Sequence, residues 1–162
     1  MQRLFSPWRK PYIERKPDAG GCVFCQALAQ ADSADNLILH RGQHAFAMLN
    51  RYPYTSGHLM VLPLAHVARL GELTPAVRGE MMELQTRAIA ALEAEYSPQG
   101  FNLGANIGAA AGAGIAEHLH LHIVPRWAGD TNFTSTVGSA RVLPELLEDT
   151  WARLNAAWKA SA

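Results

Sequence analysis

The sequence predicts an α+β fold in which one five-stranded antiparallel sheet is covered by a long helix and a second helix follows near the C-terminus. Three observations support this: five short apolar segments bounded by turn residues, one long run of helical period, and an amphipathic repeat near the end. The chain has 162 residues, of which 49% are hydrophobic. That is enough for one core and too little for two, so we expect one domain.

The first twenty residues differ in composition from the rest. Pro7, Pro11 and Pro17 alternate with the aromatic residues Phe5 and Trp8, and Tyr12 continues this pattern. Proline removes backbone donors and fixes φ, so regular structure is not expected there. We therefore predict an extended arm over residues 1–20 and a single domain over residues 21–162.

Three strands and a helix are predicted in the first part of the domain. Residues 36–41 and 45–50 form a predicted hairpin around Gly42 and Gln43, and residues 57–62 form a third strand. Thr74 followed by Pro75 marks a helix start, and apolar residues then recur at helical spacing to Tyr96. Met81 and Met82 are both interpreted as core residues of this helix.

Two further strands, residues 101–105 and 118–124, complete the predicted sheet. Near the C-terminus, apolar residues recur every three or four positions, which predicts an amphipathic helix; they are Leu143, Leu147, Trp151, Leu154 and Trp158. We expect Trp151 to pack on the sheet. For Trp158, packing on this chain and packing on a second subunit both remain open.

The segment that says most about chemistry is His118-Leu119-His120-Leu121-His122. A strand of period two places the three imidazoles on one face and the leucines on the other. If the leucines are buried, the imidazoles form a rigid row. The chain has seven histidines in all, so such a cluster is improbable by chance.

A glycine- and alanine-rich loop precedes these histidines over residues 104–114. It has too little side chain to build core, but glycine lets backbone N–H groups approach an anion closely. The loop lacks the Gly-Lys-Ser/Thr of a phosphate-binding P-loop and the spacing of a dinucleotide fingerprint. By itself it is weak evidence for phosphate. Beside the histidine row it becomes strong evidence.

Residue chemistry then gives a mechanism. A neutral imidazole whose other nitrogen is held by an acceptor is a good nucleophile toward phosphorus. The central member, His120, is the best candidate, and it would form a nucleotidyl-histidine intermediate. His122, His58 and backbone N–H groups near Gly112 and Gly114 could stabilise the charge that develops on the phosphate oxygens. Water or inorganic phosphate would then release the intermediate.

The chain resembles the histidine triad (HIT) superfamily of nucleotide hydrolases and transferases. Four blocks carry the resemblance: Cys22-x-x-Cys25, Met48 to Pro63, Asn106-x-Gly108 with Ala111-Gly112, and His118 to Pro125. The resemblance implies a HIT fold with His120 as the nucleophile. The opening Pro7-Trp8-Arg9 and closing Pro125 to Asp130 segments are similar to the branch that cleaves dinucleoside polyphosphates, which includes diadenosine tetraphosphate phosphorylases.

The resemblance also implies roles for two asparagines and an oligomeric state. An Asn or Asp at the position of Asn50 binds ribose hydroxyls, and Asn106 matches a residue that contacts phosphate or the scissile oxygen. The alternatives are a turn former at the end of a strand for Asn50 and an ordinary loop residue for Asn106. Superfamily members are commonly two-fold dimers formed through the long helix and an edge strand, so we expect a homodimer.

Cys22 and Cys25 are the only cysteines, and their spacing is typical of half a structural zinc site or of a redox pair. Metal-bearing HIT proteins complete a zinc site with two histidines that correspond here to His66 and His118. The alternative is a pair of reduced buried cysteines beside an exposed His66. His40 and His44, near the predicted hairpin turn, are interpreted as solvent-exposed.

Charge and hydropathy limit the partners. The formal net charge is zero and no long run of Lys or Arg occurs, so we expect a small nucleotide substrate and no long nucleic acid. The N-terminus lacks the apolar core of a signal peptide, and no apolar run approaches the length of a membrane span. These features favour a cytoplasmic protein without a membrane partner.

Three function classes remain open. The first is cleavage of dinucleoside polyphosphates or related adenosine phosphates, by phosphorylase or by water-dependent hydrolase chemistry, including hydrolysis of adenosine phosphoramidates. Many relatives in that branch carry a Gln shortly after the Ala-Gly step, where this chain has Ala113 and Gly114. The missing side-chain donor favours the phosphorylase. The second class is a non-catalytic nucleotide-binding signalling module, and the third is repair of adenylated nucleic-acid ends.

Overall fold

The computed structural model describes residues 21–131, 137 and 144–160. The predicted arm over residues 1–20 and Leu143 lie outside the described residues. Helix α1 spans Val23–Leu28, α2 spans Pro75–Tyr96 and α3 spans Leu147–Ala160. Strands β1 to β5 span Ile38–Arg41, Ala45–Leu49, Leu59–Pro63, Gly100–Gly104 and Leu121–Arg126. Short 3₁₀ turns occur at Leu70–Glu72 and Ala109–Ala111.

The five strands form one antiparallel sheet in the order β1-β2-β3-β5-β4. This confirms the predicted α+β fold. Strands β3 and β5 are distant in sequence but adjacent in the sheet, and their register pairs Met60 with His122. The loop that enters β3 therefore lies beside the end of the histidine row.

The predicted last strand begins three residues too early. Strand β5 starts at Leu121, so His118 and His120 precede the regular ladder. The physical reason is that the Leu119 N–H donates to the carbonyl of Val67, 2.7 Å away, in the connection after β3 rather than in a strand. Leu119 is nevertheless buried, as predicted.

Helix α2 packs across the central strands β2, β3 and β5. Its start is as predicted: the Thr74 side chain accepts from the Val77 N–H, and Pro75 occupies the first turn. Met81 is 1% exposed and lies in the core, but Met82 is 57% exposed, so its assignment to the core was wrong. Successive residues lie about 100° apart around a helix, and here that rotation carries Met82 out of the buried stripe to which Met81 belongs.

Helix α3 begins at Leu147 and packs on α2 and β1. The Trp151 indole N–H donates to the Ile38 carbonyl at 2.9 Å, which confirms its predicted packing on the sheet. Trp158 is buried against the His40 ring and beneath the Arg87 guanidinium, so it packs on this chain. His40 is half-buried because this tryptophan stacks on its ring, so the prediction that it is a solvent histidine was wrong. His44 is also half-buried rather than exposed.

Gly57 offers a direct test of the fold at the turn into β3. Its φ is +75°, and a Cβ there would lie 2.7 Å from Cδ2 of the buried Leu92. We expect Gly57→Ala to lower the free energy of unfolding by about 1–3 kcal/mol, because it adds both backbone strain and a clash. Urea unfolding monitored by circular dichroism measures this.

Gly79 on α2 is the matched control. It lies inside a helix, and a Cβ at this position would have no heavy atom within 4 Å to clash with. Gly79→Ala should therefore stabilise the fold by about 0.5–1 kcal/mol. Equal effects of the two substitutions would contradict the conformation described for Gly57.

Candidate active site

The three histidines of the row differ in their surroundings. His118 and His120 are buried, at 0% and 4% exposed, whereas His122 is half-buried. The Phe24 ring from α1 lies 5.4 Å, between ring centroids, from both His118 and His120. The rings of His120 and His122 are edge to face, with centroids 4.9 Å apart. The first two imidazoles are thus fixed by core packing, and the third faces a cleft.

His120 has its tautomer set by the backbone. Its Nδ1 lies 2.8 Å from the carbonyl oxygen of His118. A carbonyl only accepts, so Nδ1 carries the proton and the lone pair is on Nε2. Burial lowers the pKa of His120, which keeps the ring neutral near pH 7. A neutral imidazole with a free Nε2 lone pair and an anchored Nδ1–H has the form required of a nitrogen nucleophile.

A second hydrogen-bond chain orients His122. The Tyr54 backbone N–H donates to His58 Nδ1 at 3.1 Å, so the His58 proton lies on Nε2. His58 Nε2 lies 3.0 Å from His122 Nδ1, which must then accept. Burial, followed by the proximity of His120, lowers the pKa of His122 to about 4. Neutral His122 therefore carries its proton on Nε2, where it is available to a phosphate oxygen.

The turn that carries His58 depends on Asn50. The Asn50 N–H donates to the His58 carbonyl at 2.9 Å, and its Oδ1 accepts from the Tyr52 N–H at 2.9 Å. This is the turn-forming role that the sequence left open as an alternative. The side-chain amide N–H groups are not needed for that turn, so ribose binding by Asn50 stays a prediction.

An open cleft lies beside His122 and runs along the end of β4. Asn106 lines it, and phosphate contact by Asn106 stays a prediction. The remaining lining residues are Tyr54, Asn102, Leu103, Gly104, Ala105, His122 and Val124. Tyr54 places its ring 4.5 Å from that of His58 and 5.9 Å from that of His122, between centroids.

In the glycine loop, two of the backbone N–H groups expected to face a phosphate are used within the loop itself. Gly112 has a φ of +88°, and its N–H donates to the Ala109 carbonyl at 3.0 Å within the loop. The N–H of Ala113 also donates back, to Gly108. Gly114 is exposed beside them. Phosphate binding by the backbone at Gly112 and Gly114 stays a prediction, and for Gly112 it requires that this internal bond open.

Cys22, Cys25, His66 and His118 come together as the resemblance to metal-bearing HIT proteins implied, with all four candidate ligand atoms within 4.8 Å of one another. Nδ1 of His118 lies 3.4 Å from Cys22 Sγ and 3.7 Å from Cys25 Sγ, and Nδ1 of His66 lies 3.4 Å from Cys25 Sγ. Zinc bonds of about 2.3 Å to sulfur and 2.0–2.1 Å to nitrogen require a tetrahedral edge of about 3.6 Å. These distances match it.

The His118 ring is oriented for this role. Its Nε2 lies 3.0 Å from the Pro63 carbonyl, so Nε2 carries the proton and Nδ1 presents its lone pair to the cysteines. A backbone carbonyl is a common second partner of a metal-bound imidazole. Cys22 and Cys25 are not joined in a disulfide. The four residues therefore fit a structural zinc site.

Sequence reasoning missed several partners of the site. The Tyr54 N–H and the Pro63 and His118 carbonyls set three imidazole tautomers, and backbone groups leave no residue-type signal. Phe24 packs against the first two histidines of the row, and its position between Cys22 and Cys25 was the one sequence feature that could have indicated this contact.

This fold and site define a nucleotide-processing protein of the histidine triad type. The family model described as "HIT domain" matches residues 31–129 of the chain. The chain belongs to the HIT family.

Three proteins similar to this chain are informative about the family relationship. The chain is 39% identical to the AP-4-A phosphorylase of Mycobacterium tuberculosis, over 98% of this chain and 85% of that protein. It is 32% identical to the adenylylsulfatase HINT3 of Arabidopsis thaliana, over 76% and 61% of the two chains. A zinc-bound histidine triad family protein from Mycobacterium smegmatis superimposes with a TM-score of 0.68 and 28% identity, over 86% and 94%.

Proposed function

We propose that the chain is a diadenosine tetraphosphate phosphorylase that acts through a nucleotidyl-histidine intermediate. The observation that carries this is the bond from His120 Nδ1–H to the His118 carbonyl, which leaves Nε2 as a nucleophile. Similarity to the AP-4-A phosphorylase over nearly the whole chain supports the substrate. The intact triad favours an enzyme over a non-catalytic nucleotide-binding module.

Two balanced half-reactions follow. His120 Nε2 forms a bond to an α-phosphorus, and the bond from that phosphorus to the bridging oxygen breaks, which releases ATP and leaves AMP on the ring. The Nδ1–H remains bonded to the His118 carbonyl, which stabilises the positive ring. An oxygen of inorganic phosphate then attacks the same phosphorus, the N–P bond breaks, and ADP leaves. One proton is released to solvent overall.

The remaining polar groups have assigned tasks in this scheme. His122 Nε2–H, whose direction is set through His58, donates to a phosphoryl oxygen as charge develops. Asn50 binds the ribose diol with its amide, and Asn106 contacts the phosphate from the cleft wall. Gly112 and Gly114 supply backbone N–H groups when the loop opens around the substrate.

His120→Asn tests the nucleophile. Asparagine retains an N–H near the place of Nδ1 but has no nucleophilic nitrogen, so cleavage of diadenosine tetraphosphate should fall by several orders of magnitude. His122→Asn, which removes one donor, should cost about 10²–10³-fold. Steady-state rates with equilibrium binding of the substrate measure both. His44→Asn should retain full activity.

Product analysis with labelled inorganic phosphate identifies the acceptor. A phosphorylase gives labelled ADP plus ATP, whereas a hydrolase gives AMP plus ATP. AMP as the main product at saturating phosphate would move the assignment to the water-dependent hydrolase, and undiminished turnover by His120→Asn would remove the nucleophile from the scheme.

We also propose that Cys22, Cys25, His66 and His118 bind one structural zinc ion, which would tie α1 to the segment that ends in the nucleophile. His66→Asn should lower the zinc content from about one per chain and lower the melting temperature. His44→Asn, another imidazole change outside the cluster, should do neither. Elemental analysis and thermal unfolding measure these effects, and zinc-free wild-type protein of unchanged stability after chelation would exclude the site.

The third proposal is a homodimer formed through α2 and the edge strand β4. Met82 is exposed on α2, and β4 has a neighbour on one side only within the described sheet. Sedimentation at micromolar concentration should give twice the chain mass, and Met82→Glu should shift the species toward monomer because it buries a charge. A monomeric wild-type protein would contradict this.

We also propose a cytoplasmic location, because Cys22 and Cys25 are not joined in a disulfide and reducing compartments keep cysteines in that state. Fractionation of cells that express the tagged protein tests it. Of the helices in the described part of the chain, none combines the length and hydropathy that a membrane-spanning helix requires.

A further inference from the structure

Asn102 lies on the same face of the sheet as the catalytic histidines. In the β4–β5 register it pairs with Val124, and Gly104 pairs with His122. Residues two apart in a strand share a face and are about 6–7 Å apart, so Asn102 lies one step beyond His122 on the side away from His120. Gly104 has no side chain, which leaves the space between Asn102 and His122 open. Asn102 lines the cleft that occupies this space.

Arg126 fixes which end of the Asn102 amide faces the cleft. Its Nη1 donates to Asn102 Oδ1 at 2.6 Å. Arginine has no acceptor, so the oxygen must face Arg126 and the NH₂ group is directed elsewhere. Arg126 is itself held by Asp130 through two bonds of 2.5 and 2.8 Å. Its charge is therefore balanced before any substrate binds, and its position is fixed.

The cleft wall supplies neutral donors. Among the described residues that line it there is no Lys or Arg, and the polar groups are the amides of Asn102 and Asn106, His122 and Tyr54. Of these, Asn102 lies farthest along the strand from the nucleophile. A phosphate bound there would therefore be one other than the phosphate attacked by His120.

We propose that the Asn102 amide N–H groups donate hydrogen bonds to the inorganic phosphate that attacks the nucleotidyl-histidine intermediate. Asn102 would then be a specificity residue that favours phosphate over water in this second half-reaction. This rests on the proposed phosphorylase function. In-line displacement places the ATP that leaves in the first half-reaction and the phosphate that attacks in the second on the same side of phosphorus, opposite His120 Nε2. The released triphosphate and the incoming phosphate thus occupy the same part of the cleft in turn. Asn102 lies where that second phosphate group would be.

Asn102→Asp is the sharp test. Aspartate keeps an oxygen for Arg126 but replaces the NH₂ donor with a negatively charged acceptor, which repels phosphate. We expect the KM for inorganic phosphate to rise at least about 10-fold, with kcat at saturating phosphate changed by less than about three-fold. Asn102→Ala, which removes the donor without adding charge, should raise the KM for phosphate by a smaller factor.

Asn155→Asp on α3 is the matched control, since it makes the same chemical and charge change away from the cleft. It should leave both constants unchanged. An unchanged KM for phosphate in Asn102→Asp, or a loss of kcat alone, overturns the assignment. So does a change in sedimentation with no change in this KM. If wild-type protein forms no ADP from phosphate, the phosphorylase function itself fails, which the Asn102 variants cannot cause.

Discussion

The site depends on His118, because three of its atoms are committed to three different partners. Nδ1 faces the cysteines, Nε2–H donates to the Pro63 carbonyl, and the backbone carbonyl accepts from His120. The ring cannot rotate without loss of the first two contacts, and the carbonyl cannot move without release of the nucleophile. One buried residue therefore links the cysteine cluster and the core to the nucleophile, because its ring is anchored by the first two contacts while its carbonyl orients His120.

The sheet order supplies the other half of the site. Adjacent placement of β3 and β5 brings His58 to His122, and the Thr55 hydroxyl donates to the Pro125 carbonyl at the far end of β5. Each of these contacts joins residues more than sixty positions apart in sequence. The geometry of the histidines is thus a tertiary property, and a peptide containing only the row would lack it.

The sequence predicted side-chain chemistry well and backbone geometry less well. The row and the packing of Trp151 were available from residue type and spacing, because periodicity determines which side chains share a face. Spacing gave only the cysteine half of the four-residue cluster, and the resemblance to metal-bearing HIT proteins supplied His66 and His118. The start of β5 at Leu121, the exposure of Met82 and the partial burial of His40 were not, since each depends on which neighbouring segment covers a position. Orientation of Asn102 by Arg126 likewise needs the strand register.

The proton order in the His58–His122 pair is set by a main-chain amide, the N–H of Tyr54. Every residue except proline offers that donor, so the side chain at position 54 can vary during evolution while the tautomers stay the same. Its ring is 37% exposed and lines the cleft, so a change of side chain at this position would alter the cleft wall without moving that amide donor. Substrate preference at this wall can therefore change during evolution through variants that all keep the His122 proton on Nε2.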